Sequence, residues 1–350
     1  MSRHRRAVIA IGFAVSAGFV YLALRGLAFD KIGDAFRDSH LLPWLPLGIA
    51  SYGASHVVRG VRCRLLVRRQ AELALPTATN IVVAGYAANN LLPARLGEIV
   101  RAGLLADRAR MPVAQALAVT FIERVLDGLT LLLLLVVATT TGHVAGWIAE
   151  LVEIAVVVFG VATAVMFAAA LAPGRLLALA GGLGGKLGPR WRDRLVGLAG
   201  SVTGAGACLR DPRDLAALAA TSLVAWCFDA GLYVLLLPAF GLPFTAEYGV
   251  VAMCVTGFGL LLPSSPGSIG PFHYFASRVI VAFGVAQPTA LAYATLVHLA
   301  FYVPVTIWGL GALLWYGVRL GATLAPRAGA PAVGEPADVH PAPDAVYGGR

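Results

Sequence analysis

Apolar runs of roughly 20 residues recur along the chain, each long enough to cross a bilayer as a helix. They constrain the fold more than any other feature, because lipid offers backbone N–H and C=O groups no partner outside the chain. An all-α polytopic membrane protein is the expected fold class. Composition agrees: 59% of the 350 residues are hydrophobic, 13% are charged and the mean hydropathy is +0.79. A soluble domain carries about 25% charged residues.

The net charge of +9 does not point to nucleic acid. The arginines cluster in short segments between apolar runs, as membrane topology requires of cytoplasmic segments. Cys63, Cys208, Cys227 and Cys254 are scattered and form no Cys-x-x-Cys pair. The histidines form no ligand pair at helical spacing, so no metal and no other cofactor is implied. Met1–Leu24 has the basic leader and apolar run of a signal peptide, without a clear Ala-x-Ala exit, and is read as an uncleaved first helix.

In chain order the expected spans are about 7–24, 41–58, 113–140, 151–171, 215–237 and 289–316. Residues 25–40 read as a charge-balanced external loop. Arg59, Arg62, Arg64, Arg68 and Arg69 close the second span as its cytoplasmic marker. Residues 173–212 read as a basic cytoplasmic connector with an interfacial amphipathic piece. The tail 326–350, rich in Ala, Pro and Gly, reads as disordered. A single membrane domain over about 1–325, with halves 7–140 and 151–316, is expected in the plasma (inner) membrane with both termini cytoplasmic.

Two polar interruptions break this pattern. The first is Asn89-Asn90-Leu91-Leu92-Pro93-Ala94-Arg95-Leu96-Gly97-Glu98, and the second is Leu261-Leu262-Pro263-Ser264-Ser265-Pro266-Gly267-Ser268-Ile269-Gly270. Irregular backbone at membrane depth needs protein or a water-filled cavity around it. Each break lies between segments too short to span alone, so each is read as the tip of a re-entrant helical hairpin. Counting directions, 41–140 then becomes the inverse of 215–316, the inverted-repeat plan of secondary transporters. About six full spans plus two re-entrant hairpins result. Eight plain spans with two kinked pairs is the alternative.

Ionisable residues inside a membrane are functional candidates by default. The first cluster is Asn89, Asn90, Arg95, Glu98 and Arg101; arginine forks suit phosphate oxygens, and a restarting helix offers free N–H groups. The competing reading is a hairpin tip whose arginines snorkel. The second cluster is Glu123, Arg124 and Asp127, with Glu123 and Asp127 on one face and Arg124 within reach of Asp127 or Glu98. Substrate or proton handling competes there with a packing lock, and Glu123 is the candidate unpaired acid. The third is Ser264, Ser265, Gly267 and His273, either a polar cavity lining or a capped helix-breaking turn. Asp229 has no evident local partner, and His56 and His298 read as packing.

The string Asn90-Leu-Leu-Pro-Ala-Arg-Leu-Gly-Glu98 with Arg101, then Glu123-Arg124-x-x-Asp127, then Pro266-Gly-Ser-Ile-Gly270, resembles the membrane region of lysylphosphatidylglycerol synthases and their stand-alone flippase-like relatives. Arg59-Gly-Val-Arg-Cys-Arg-Leu-Leu66 resembles that family's early basic motif. The resemblance implies movement of a polar-headed lipid between leaflets, in the best-known members an aminoacylated phosphatidylglycerol. Those members continue into a soluble synthase domain with no counterpart expected here, so aminoacyl transfer, and enzyme activity generally, is not implied. His273 stands where relatives often carry an acid, and Ser264-Ser265 precede the Pro-Gly motif. The expected partner is a membrane phospholipid or lipid-linked precursor, alongside a homo-oligomer or a synthase. A non-transporting scaffold for lipid or glycan synthesis is the second reading, and an enzyme acting on lipid phosphates the third.

Overall fold

The computed structural model describes residues 3–25, 29–92, 96–141, 146–260 and 265–317. Among them every regular element is helical: α1 Arg3–Leu24, α2 Phe29–Arg37, α3 Trp44–Val67, α4 Leu75–Leu91, α5 Gly97–Arg108, α6 Val113–Thr141, α7 Gly146–Leu171, α8 Pro173–Leu187, α9 Pro189–Ala205, α10 Pro212–Leu235, α11 Ala246–Gly259, α12 Pro271–Ala282 and α13 Gln287–Trp315. The protein is an all-α membrane protein. Val152–Leu171, Pro212–Phe240 and Gln287–Trp315 are long and apolar enough to cross a bilayer by length and composition.

The helix limits follow from local chemistry. Leu92 is extended (φ −103°, ψ 141°) because the Pro93 ring disfavours helical backbone just before it, and α4 stops there. Asp211 caps α10 by accepting from the Arg213 N–H at 2.9 Å, and Pro212 follows at the first helical position. Gly267 turns with φ +71°, a left-handed conformation that a side chain would strain. Pro271 then starts α12.

Two expectations are corrected and a third is given its detail. The external loop 25–40 contains the helix α2, whose Asp30 and Arg37 sit at the ends that suit a helix dipole. The helix expected over about 41–58 does not stop near residue 58 but runs to Val67, with Arg59 and Arg62 finding partners inside the bundle. The connector 173–212 holds two helices, α8 and α9, packed on each other.

Helix α3 runs antiparallel to α10 at the centre. Ser51 donates to the Phe228 carbonyl at 2.6 Å near one end, Arg62 reaches Ser222 at 2.8 Å, and Arg69 reaches Asp214 at 2.8 Å at the other end. Around this pair the neighbours match element by element. The series α3, α4, α5, α6 packs in succession, as do α10, α11, α12, α13. Helix α4 lies on α13, and α11 lies on α6. The amphipathic α2 touches α13, and α9 touches α6.

Contacts also sort the helix ends. At one end the α3 terminus meets the start of α10 through Arg69, Tyr316 donates to the Thr77 carbonyl at 3.4 Å, and Arg108 lies 4.7 Å over the Tyr316 ring. So α4 begins, and α5 finishes, at that end. At the opposite end Tyr248 stacks on Phe283 at 4.1 Å, Gln287 donates to the Ala23 carbonyl and His40 to that of Ala239. So α11 begins, and α12 finishes, there. The two helical hairpins enter the bundle from opposite ends.

Gly97 sets how closely the first hairpin folds. A Cβ at this position would strike the Gly85 carbonyl and the Asn89 backbone of α4. Gly97→Ala is expected to lower stability by about 1–3 kcal/mol through overpacking. Gly103→Ala in the same helix, where an added Cβ meets nothing within 4 Å, is expected to leave it unchanged or slightly higher. Thermal unfolding in detergent measures both.

Candidate functional site: a buried ion network beside two helix breaks

Four helices, α3, α5, α6 and α10, bring charge to one interior locus. Ser55, Arg59, Arg62 and Leu66 share one face of α3 at i, i+4, i+7 and i+11, while Arg64 points the other way, to the exposed surface. Arg59 and Arg62 are 2% and 0% exposed. Burial of a guanidinium requires a charge partner and filled hydrogen bonds.

Arg59 forks onto Asp229 of α10 at 2.7 and 3.2 Å and donates to Ser55 at 2.9 Å. Its guanidinium lies 4.9 Å over Trp226 and 5.8 Å over Tyr86. Arg62 donates to Asp127 at 2.7 Å and to Ser222 at 2.8 Å, and lies 3.6 Å from Glu123. Arg101 of α5 pairs with Glu123 from the other side. Arg124 stands 3.3 Å from Asp127 and 3.9 Å from Glu98, and Asn89 donates to Glu98 at 3.3 Å. Trp226 donates to Asp127 at 2.9 Å.

Four arginines therefore face four carboxylates, and the described network is formally neutral. It is not saturated: Asn89 Oδ1, Arg62 Nη2 and Arg101 Nε are buried without a hydrogen-bond partner. In an enclosed site such atoms are unexpected unless another polar group or water meets them.

The second break lies beside the first. The Pro266–Ser268 turn packs on α4. Tyr302 of α13 joins the two: its hydroxyl donates to the Asn90 carbonyl at 3.4 Å, and its ring would lie 2.8 Å from a Cβ on Gly267. Asn90 also donates to Thr306 at 2.8 Å, and Thr306 to the Tyr302 carbonyl at 2.5 Å. His273 sits 3.4 Å from His298, whose ring stacks on Phe272 at 4.8 Å. The Ser265 N–H donates to the Ser16 hydroxyl at 2.8 Å, tying this break to α1.

Of the residues singled out from sequence, Asn89, Glu98, Arg101, Glu123, Arg124 and Asp127 come together in the ion network. Asn90, Gly267 and His273 line the join between the breaks; Ser265 lies at its α1 side. Arg95 and Ser264 lie outside the described residues. Two sequence readings are corrected, for Glu123 and for Arg59 with Arg62, and the Asp229 reading is completed. Glu123 is not the unpaired acid, because Arg62 and Arg101 both reach it. Asp229 has a partner 170 positions away, which no local spacing reveals. Arg59 and Arg62 are interior residues rather than a cytoplasmic marker, and their shared helical face with Ser55 was the available signal.

The family profile described as the lysylphosphatidylglycerol synthase TM region matches residues 9–309. The chain belongs to this family. Membership ties it to membrane lipid modification or transport. No curated protein and no solved structure shows significant similarity to it. The family match spans every helix that contributes a described ion-network residue, from α3 to α10.

The Arg59–Asp229 pair is open to a double-mutant cycle. Arg59→Leu or Asp229→Leu alone strands a buried charge and is expected to cost about 3–5 kcal/mol. The double variant is expected to recover most of that loss. Unfolding in mixed micelles gives the cycle.

Proposed function

We propose that this lysylphosphatidylglycerol synthase-type chain moves a lipid with a phosphate-bearing head between leaflets. The carrying observation is the unsaturated buried ion network at the tip of one hairpin, joined through Tyr302 to the break of a hairpin entering from the opposite end. Lipid tolerates such irregular polar backbone only around a cavity or within protein. Antiparallel α3 and α10, with matched neighbours around them, support an inverted repeat of two halves. On this reading both hairpins are re-entrant and six helices span.

The head enters between the breaks. Arg101 and Arg62 offer planar forks to phosphate oxygens, and Asn89 offers a free carbonyl oxygen to a donor on the head group. Arg95 adds a further cation in sequence. Glu123, Asp127 and Glu98 hold the arginines in place when no substrate does. Acyl chains remain in lipid, so the site reads only the head. No bond is made or broken, and the chain acts as a transporter rather than an enzyme. The exposed arginines Arg64, Arg68, Arg69, Arg108 and Arg110 share one bundle end, and the bias of basic residues towards the cytoplasmic side supports reading that end as the cytoplasmic one in a cell membrane.

A second reading rests on the neutrality of the network: four paired arginines also describe a rigid clamp, as in a scaffold for a lipid or glycan synthase. Reconstitution separates the two. In proteoliposomes with head-labelled anionic phospholipid, wild type is expected to move label between leaflets. Tyr302→Phe is expected to keep its melting temperature and slow transport severalfold. Arg101→Gln is expected to transport at least about tenfold less, the loss of one charge-assisted contact. An inactive wild type, or full transport in Arg101→Gln, leaves the clamp.

A further inference from the structure

Helices α8 and α9 form a hairpin whose chemistry the ion network does not use. They pack closely, for a Cβ on Gly184 would lie 2.5 Å from the Arg192 Cα. Their apolar side chains turn away from the protein: Leu179 and Leu183 are 63% and 59% exposed, and Trp191 and Leu198 are 50% and 52% exposed. On α9, Trp191, Leu195, Leu198 and Val202 fall at i, i+4, i+7 and i+11, a single stripe. At about 100° per residue, Arg192 flanks that stripe on one side and Arg190 and Arg194 on the other, with Asp193 behind. Arg194 rests 5.5 Å over the Trp191 ring.

An aliphatic stripe with one tryptophan, bordered on both sides by arginine, matches the boundary between acyl chains and phosphates. The hairpin is also held at the bundle end that carries the exposed arginines. Gln70, just past the end of α3, donates to the Gly204 carbonyl at 2.9 Å, and Arg210 donates to the Thr203 carbonyl at 3.4 Å. We propose that α8–α9 is a docking element for an anionic lipid leaflet, lying flat with its apolar stripe in the acyl boundary and its arginines on lipid phosphates. This holds whether or not the chain transports lipid.

The test is amide hydrogen exchange of the full chain in nanodiscs of phosphatidylcholine, with and without phosphatidylglycerol. Residues 173–205 are expected to exchange about tenfold more slowly when phosphatidylglycerol is present, an effect reduced by high salt. The triple variant R190Q/R192Q/R194Q is expected to lose that difference while exchange in α3 and α10 stays unchanged. Quenching of Trp191 by brominated acyl chains, assigned by its loss in Trp191→Phe, gives the depth. Equal exchange in the two lipids overturns the proposal. Protection that follows protein concentration rather than lipid charge also overturns it, and assigns the face to a second copy.

Discussion

The structure depends on keeping guanidinium groups out of water. Arg59 and Arg62 sit on the central helix of the bundle, and each needs a carboxylate from another helix. Asp229 on α10 answers the first, and Asp127 and Glu123 on α6 answer the second. Those pairings fix the register of α3 against α10 and draw α6 alongside. Arg101 then binds α5, and with it the first hairpin, to Glu123. Oily helices in lipid have little hydrophobic reason to prefer one neighbour over another. Buried ion pairs supply the preference, because an unmatched partner leaves a bare charge.

The same network explains why the first break can be polar. Glu98 faces Arg124 and accepts from Asn89, and Asn90 finds Thr306. The second break has no comparable charge among its described residues. It is held by close contact instead, through Gly267 against Tyr302 and Ser265 against Ser16. The matched neighbours of the two halves thus enclose unlike chemistry, a charged side and a neutral aromatic one. A head group placed between them would meet arginine on one side and histidine, tyrosine and backbone on the other.

The candidate site was legible in part. Charges inside apolar runs marked Arg101, Glu123, Arg124 and Asp127, since burial of charge is rare enough to be noticed. The i, i+3 spacing gave the Arg124–Asp127 contact. Arg59 and Arg62 escaped because they stand in a run of arginines at a helix end, where topology already accounts for positive charge. Asp229 escaped because its partner lies on another helix. The role of Tyr302 was invisible, as a tyrosine in an apolar helix has no pattern that distinguishes a bridge from packing.

By itself the sequence determined the class of fold and the place of the two polar breaks. Run length and hydropathy are set residue by residue, and proline and glycine stop helices locally. It also determined which charges had to be interior, up to the ambiguity at the end of α3. Tertiary structure alone decided which opposite charges meet and that the two breaks adjoin. It also decided that residues 173–205 fold into a hairpin with an uncovered apolar stripe. These depend on distances between segments up to about two hundred residues apart, as between Asn90 and Tyr302. Local propensity carries no information about them, and the pairing of buried charge does.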